Sequence, residues 1–388
     1  MDKCVEAVAC GGVVDVVYFD FAKAFDTVPH RRLIDKMKAY GINGKLLGWI
    51  KDFLTTRSQV VRVNGECSSK ASVLSGIPQG SVLGPLLFIV YINDLPDDVI
   101  SDILMFADDT KIFHQINSKE DSLLLQSDTQ SLLEWSKKWL LTFNKEKCHV
   151  LTIGKIENIK HTHRYSLDDT ELEHVFSEKD LGLTIDSDLK FEEHISMKVN
   201  KANAMMGLIR RCFSCLDIDI FRRLYTTFVR PHLEYAQSIW SPHFLKQINL
   251  IENVQIRATK LVDGLGKLDY SDRLKRLGLT TLRYRRERGD MIQLYRHFHS
   301  FDVATLPSSF QPSSRSSRNH PFQLKWLKPK DGVTGAQANS FYYRTTKRWN
   351  DLPRDVVNAP SINAFKARLD EAWEKNPVKY DHKLSSDS

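Results

Sequence analysis

Phe106-Ala107-Asp108-Asp109, set between Ser101-Asp102-Ile103-Leu104-Met105 and Thr110-Lys111-Ile112-Phe113, places two adjacent carboxylates where one strand-like run must turn into another. Carboxylates side by side at a hairpin tip repel each other, and a hard cation such as Mg²⁺, which prefers oxygen ligands, relieves that repulsion. Taken alone, the pair also suits a solvated Asx-type corner. A second acid upstream separates the two readings. In Val13-Val14-Asp15-Val16-Val17-Tyr18-Phe19-Asp20, an apolar and β-branched run delivers Asp20 to the end of a buried strand. Asp20 taken alone is a strand-end cap, but if the strands are sheet neighbours, Asp20, Asp108 and Asp109 converge.

Working outward, Ala22 to His30 reads as a short helix or turn, and Arg31 to Leu54 as helical. Asn64-Gly65, inside Gln59-Val60-Val61-Arg62-Val63-Asn64-Gly65-Glu66, signals a tight hairpin. Leu74-Ser75-Gly76-Ile77-Pro78-Gln79-Gly80-Ser81 combines turn residues and glycines, which allow close backbone approach to a ligand, with an apolar helix from Gly84 to Tyr91 expected to be buried. Leu132, Trp135 and Trp139 mark one face of a further helix. Helices alternating with short strands around one sheet give an α+β class. From Phe191 the period turns helical: Ile195, Val199, Ala202, Met206, Ile209 and Phe213 form an apolar stripe, leaving Lys198, Lys201, Arg210 and Arg211 for solvent or ligand. Pro231 interrupts the next helix, and Ile251, Val254, Ala258 and Leu261 mark a third. Pro307 to Arg318 is a Ser-, Pro- and Arg-rich linker, and Trp326, Phe341, Tyr342, Tyr343 and Trp349 supply the aromatic mass of a small unit before a polar tail.

The chain has 388 residues, 42% hydrophobic and 27% charged, an ordinary globular balance. No apolar run is long enough to span a bilayer, and no charged-then-apolar leader is seen, so an intracellular protein with no membrane partner is expected. Six cysteines then suggest free thiols, and Cys212-Phe213-Ser214-Cys215 lacks the second pair a zinc site needs. Net charge is +7 but uneven: residues 191–300 hold 19 Lys and Arg against 11 Asp and Glu, leaving −1 for the rest. Such segregation is the footprint of a module that tracks a phosphate backbone, or else a solvated face of mixed charge. Arg283-Tyr284-Arg285-Arg286-Glu287-Arg288 is the densest cluster, with a tyrosine that could stack on a base, or is itself a solvated helix face.

Phe19-Asp20-Phe21-Ala22-Lys23-Ala24-Phe25-Asp26, the Pro78-Gln79-Gly80 block and Phe106-Ala107-Asp108-Asp109, in this order, closely resemble the reverse transcriptases of LINE-type (non-LTR) retrotransposons of the Jockey-like branch. Phe143-Asn144-Lys145-Glu146-Lys147-Cys148 looks like the next palm motif, Asp180-Leu181-Gly182-Leu183 like the primer-grip hairpin, and Val229-Arg230-Pro231-His232-Leu233-Glu234-Tyr235-Ala236 like the region after it. The resemblance implies a polymerase palm with partial fingers at 1–190, a helical basic thumb-like domain at 191–300, a linker at 301–318 and a carboxy-terminal region with a disordered tail at 319–388. The family's polymerase begins with a fingers region, most of which is expected to be lacking here.

By the same resemblance, Asp20, Asp108 and Asp109 are the catalytic acids and, with the Phe21 carbonyl, the ligands of two Mg²⁺ ions, Mn²⁺ being an alternative. Phe25 corresponds to the aromatic that excludes a ribose 2′-hydroxyl, Gln79 and Gly80 to residues touching the nascent base pair and template, and Lys147 to a lysine near the triphosphate. Without the motif, Phe25 reads as a core aromatic and Lys147 as a surface lysine. Asp26 is structural. The implied partners are an RNA template, a DNA primer or target DNA, and deoxynucleoside triphosphates, in the nucleus or otherwise the cytoplasm. The implied activity is RNA-directed DNA polymerisation; the competing expectation is a catalytically impaired remnant that only binds nucleic acid.

Overall fold

A computed structural model describes residues 1–154, 163–299, 322–325 and 339–384. The expected linker, Trp326 and the last four residues of the tail lie outside the described residues. Two compact units are present: Gly11–Glu178, and Met1–Cys10 together with the chain from Lys179 onward. The expected boundaries at 190/191 and 300/319 do not coincide with these units. Among the described residues no helix is long and apolar enough to cross a membrane.

The first unit is α+β. Its sheet runs Glu173–Val175, His149–Ile153, Val13–Phe19, Asp109–Ile116, Asp102–Phe106, with only the first pair parallel. Val13–Phe19 is central and nearly all buried, which is why its sequence is apolar throughout rather than alternating. The exception is Asp15, whose two oxygens accept hydrogen bonds from Thr152 Oγ1 and Tyr165 Oη, each at 2.7 Å. A buried carboxylate so paired avoids the desolvation cost of an orphan. Burial and that neighbouring charge push the Tyr165 phenol well above its ordinary pKa.

Helices cover the sheet. Lys119–Trp139 starts at a Ser118/Asp121 capping box and buries Leu125, Leu132, Leu133 and Trp135. The run expected as one helix from Arg31 to Leu54 is two, His30–Ala39 and Gly44–Thr55, because Gly41 and Gly44 adopt φ +83° and +63°. The helix expected to be buried, Leu83–Ile92, buries one face with Leu87, Phe88 and Tyr91 and exposes Leu86 and Ile89 on the other. Asn64 and Gly65, both left-handed, close a two-residue turn between Val63 and Glu66 as the Asn-Gly signal predicts. Lys36 is the unusual core residue: its ammonium donates to Asp94 Oδ1 and the Tyr91 carbonyl, each at 2.5 Å, and lies 3.7 Å from the Trp139 ring centre. Desolvation lowers its pKa and Asp94 opposes that shift.

The second unit is mainly helical. Glu192–Cys212 buries Ile195, Val199, Ala202, Met206 and Ile209, the predicted stripe, plus His194, while Phe213 is left exposed at the helix end. Pro231 does not stop the following helix; a π-turn over Tyr225–Val229 absorbs it before Arg230–Glu234 continues. Among the described residues the carboxy-terminal segment shares its core with the preceding helix. Tyr342, Trp349, Phe365 and Leu369 pack with Met291, Leu294 and Tyr295 of the Leu282–Phe298 helix, whose second apolar face needs that cover.

Candidate active site

Strand register sets the positions of the acids. Phe19 pairs with Thr110 and Phe106 with Asp109, so Asp20, one residue past the first pair, leaves the sheet beside the hairpin that carries Asp108 and Asp109. The hairpin turn is two residues, Ala107 and Asp108. Ala107 takes a left-handed φ of +53°, a conformation that costs a residue with a Cβ roughly 1–2 kcal/mol. The tip is therefore held in a form that ordinary turn chemistry would give to Gly or Asn.

Beyond Asp20 the chain is stitched to Thr142–Asn144. The Asp20 carbonyl accepts from the Asn144 N–H at 2.7 Å and the Ala22 N–H donates to the Thr142 carbonyl at 2.8 Å, with Phe21 stacked on Phe143 at 4.6 Å between ring centres. This brings Lys147 into the site: its Nζ is 3.3 Å from Asp20 Oδ2. Lys147 is 66% exposed and Asp20 35%, so the pair is worth only about 0–1 kcal/mol and opens readily. Cys148, next to it, is buried, which pushes its thiol up to about 11. Among the described residues no group of three or more His, Cys, Asp or Glu side chains is arranged to hold a metal ion. Asp20, Asp108 and Asp109 thus share one end of the sheet without closing into a three-ligand cage.

The other expected residues cluster around a second loop. Phe25, half-buried in the short Ala24–Thr27 helix, stacks on Phe88 at 4.8 Å. Its carbonyl accepts from the Ile77 N–H at 2.7 Å, and the Gly76 N–H donates to the Val28 carbonyl at 2.8 Å. Ser81 Oγ donates to the Pro78 carbonyl at 2.8 Å and accepts from the Gly84 N–H at 2.9 Å, so the loop enters the next helix through a fixed turn. Gln79 and Gly80 between these anchors are exposed, and Gly80 has φ +81°. Gly76, one of the glycines whose block signals close backbone approach, is such a point: a Cβ there would lie 2.6 Å from the Asp26 carbonyl oxygen. The Lys147–Asp20 contact has no such signal, since no local pattern encodes it.

In the second unit the basic cluster is a correction. Tyr284 and Arg286 are buried, Arg285 is chelated by Glu234, and Arg288 donates to both oxygens of Asp370 at 2.5 and 2.8 Å. Arg283 donates to the His382 and Leu384 carbonyls at 3.0 and 2.9 Å. Arg283, Arg285 and Arg288 are thus engaged within the unit, while the Arg286 guanidinium is buried with neither Nη atom hydrogen-bonded among the described residues. Cations elsewhere are differently placed. Lys198 Nζ donates to the Gly182 carbonyl at 2.9 Å and Tyr235 Oη to the Leu181 carbonyl at 2.9 Å, gripping the tip between the Ser177–Asp180 and Leu183–Asp186 strands. Burial, then Lys201 and Lys198, hold the His232 pKa below its ordinary value, which locates three basic side chains on one patch.

Residues 11–188 match the family model for reverse transcriptase (RNA-dependent DNA polymerase). The probable RNA-directed DNA polymerase from transposon BS of Drosophila melanogaster is 30% identical over 265 residues, 64% of this chain and 29% of that protein. The RNA-directed DNA polymerase from mobile element jockey of the same fly is 28% identical over 269 residues, 64% of this chain and 28% of that protein. The match thus covers under a third of the length of either relative. Among solved structures, apo telomerase from Candida tropicalis is similar at a TM-score of 0.39 and 11% identity, over 74% of this chain and 47% of that one. Reverse transcriptases generally depend on a divalent metal. With the acids at the paired strand ends and the ordered motifs in place, residues 11–188 are a reverse transcriptase domain, similar in sequence to the RNA-directed DNA polymerases of the BS and jockey transposons.

Proposed function

We propose that this chain is an RNA-directed DNA polymerase that adds deoxynucleotides to a primer 3′-hydroxyl on an RNA template, acting on nuclear DNA as primer or target. The observation that carries this reading is the emergence of Asp20 beside the Asp108–Asp109 hairpin within a reverse transcriptase domain. The donor set fits a hard divalent cation: carboxylate oxygens at one sheet end, where the Lys147 ammonium already stands 3.3 Å from Asp20 as a stand-in cation. Asp20, Asp108 and Asp109, with the Phe21 carbonyl, would hold two Mg²⁺ ions, Mn²⁺ being able to replace them. Such ions supply a lowered pKa for the primer hydroxyl and charge neutralisation on the leaving pyrophosphate.

The remaining work falls to the chain's own groups. Phe25, backed by Phe88, forms the wall beneath the sugar, where a 2′-hydroxyl would collide with it. Gln79 and Gly80, exposed on an anchored loop, face the base pair and template. Lys147, weakly held by Asp20, swings to the triphosphate and gives its proton to the departing pyrophosphate. The test is primer extension on matched RNA and DNA templates by the chain and by Asp108→Asn. Incorporation that requires Asp108 and proceeds on RNA supports the reading. Strand binding without incorporation would favour a binding-only remnant, and an active Asp108→Asn variant would remove the acids from the chemistry.

A further inference from the structure

The Gly76 carbonyl is contacted by two side chains that nothing above assigns a role. His30 Nε2 lies 2.8 Å from it and Arg57 Nη2 2.5 Å, reaching across 46 and 19 residues of sequence. A carbonyl has two lone pairs and can accept both. In that arrangement Nε2 is the donor of an imidazole that is almost fully buried, and Arg57 Nη2, 3.3 Å from the same nitrogen, donates its hydrogen to the carbonyl instead. Arg57 is itself anchored, its Nε donating to the Leu54 carbonyl at 3.1 Å at the end of the Gly44–Thr55 helix.

The opposite side of Gly76 is equally constrained. A Cβ built there would lie 2.6 Å from the Asp26 carbonyl oxygen and 2.8 Å from Asp26 Cα, and φ is +86°. Ser75 Oγ donates to that same Asp26 carbonyl at 2.9 Å. One residue on, Ile77 is buried and its N–H reaches the Phe25 carbonyl. The sugar-side ring and the base-side loop are therefore tied to one point, and that point is clasped by His30 and Arg57.

We propose that His30 and Arg57 are positioning residues that hold the Gly76–Gly80 loop against Phe25, and so set how well the pocket distinguishes deoxyribonucleotides from ribonucleotides. The sugar-selection half rests on the polymerase reading given above. Rejection of an added hydroxyl by shape requires a rigid wall, because a shape-only pocket discriminates weakly once it can give. Displacement by about 1 Å can cost on the order of 10²-fold in a positioned reaction.

The experiment compares His30→Ala, Arg57→Ala and the double variant with His30→Gln, which keeps a donor, in two readouts. Amide hydrogen exchange over residues 74–81 needs no activity; the double variant should accelerate exchange at Gly76 and Ile77 by about tenfold or more. In primer extension it should raise KM for the deoxynucleotide more than it lowers kcat, and lower the deoxy-to-ribo efficiency ratio by about threefold or more, with His30→Gln recovering part of both. Lys36→Met, a core change in the same unit, should lower the melting temperature and leave the ratio and the local exchange unchanged. Unaltered exchange in the double variant overturns the clasp. Accelerated exchange with only kcat reduced overturns the selection role and leaves a structural staple. An unmodified chain that incorporates nothing overturns selection together with the polymerase reading, while exchange still decides the clasp.

Discussion

The sheet end bearing Asp20 and Asp108 and the arginine-rich start of the Leu282–Phe298 helix are both dense in charge, yet the fold treats them in opposite ways. At the helix the charges face inward to partners: Arg285 to Glu234, Arg288 to Asp370, Arg283 to two carbonyls. At the sheet end Asp108 and Asp109 stand in succession at a turn whose Ala107 is left-handed, and Asp20 meets a lysine that is mostly in solvent. Charge that stabilises a fold is neutralised by it; charge kept for a ligand is a cost the fold carries. Asp370 lies outside residues 191–300, so the +8 of that stretch includes a cation already neutralised from elsewhere in the chain.

The largest effect that could break this comparison is on rate. Asp20→Asn is expected to lower Mg²⁺-dependent incorporation on the order of 10³-fold or more, because the proposed metal ligand is lost. Its melting temperature should stay within a degree or two of the unmodified chain, since the exposed Lys147 pair is worth little. Calorimetry and single-nucleotide extension check both halves; a variant that melts early and still extends primers would exchange the roles of the two regions.

Next in size is the mirror experiment. Arg344 holds Asp290 through two bonds, Nε to Oδ2 at 2.8 Å and Nη2 to Oδ1 at 3.1 Å, with the acid almost fully buried. Arg344→Ala leaves that acid uncompensated and should cost about 3–5 kcal/mol of stability, read by denaturant unfolding. Under conditions where the variant remains folded, the salt dependence of its nucleic-acid binding should not change.

The sequence carried the first region well and the second poorly, for one physical reason. Asp20 and the Asp108–Asp109 hairpin are each specified locally, by an apolar strand and a short turn, and sheet pairing needs only neighbouring strands to join them. The arginines of residues 283–288 have a local pattern too, but their fate depends on Glu234, Asp370 and the 377–384 segment, up to about a hundred residues away, and no period reports such partners. The break at Gly41–Gly44 is written in its glycines, but the apolar period continues on both sides and masks it. The Lys147–Asp20 contact and the His30–Gly76–Arg57 clasp are long-range side-chain geometry and leave no trace in composition.

A third, smaller effect concerns a buried group given no countercharge. His194 is fully buried, its Nδ1 accepts from the Thr184 N–H at 3.1 Å, and the Trp240 ring lies 5.4 Å away. Burial first, and Lys198 second, lower its pKa from the ordinary 6.5 to about 4. Because the unfolded chain takes up the proton at higher pH than the folded one, this contribution to stability is complete above pH 6.5 and is lost as pH falls toward 4, by at most about 3 kcal/mol. Unfolding curves for the unmodified chain and His194→Gln from pH 7 to pH 4.5 should converge as the pH drops; parallel curves would mean that the folded protein tolerates the charge.

The smallest effect separates cations that face a ligand from those that face the protein. Lys201 is exposed and, among the described residues, has no acidic partner, while Lys198 and His232 share its patch beside the gripped Leu181–Gly182 tip. If that patch meets a phosphate backbone, Lys201→Gln removes one neutralised phosphate, and the slope of log affinity against log salt should become shallower by about 0.7–0.9. Affinity near physiological salt would fall only severalfold, roughly 1 kcal/mol or less. Arg288→Gln removes the same formal charge from a side chain bound to Asp370, so its slope should stay where it was. Equal slopes for Lys201→Gln and the unmodified chain would take the patch out of the interface, and a slope that moved for Arg288→Gln as well would mean that binding follows net charge rather than which face of the unit the charge occupies.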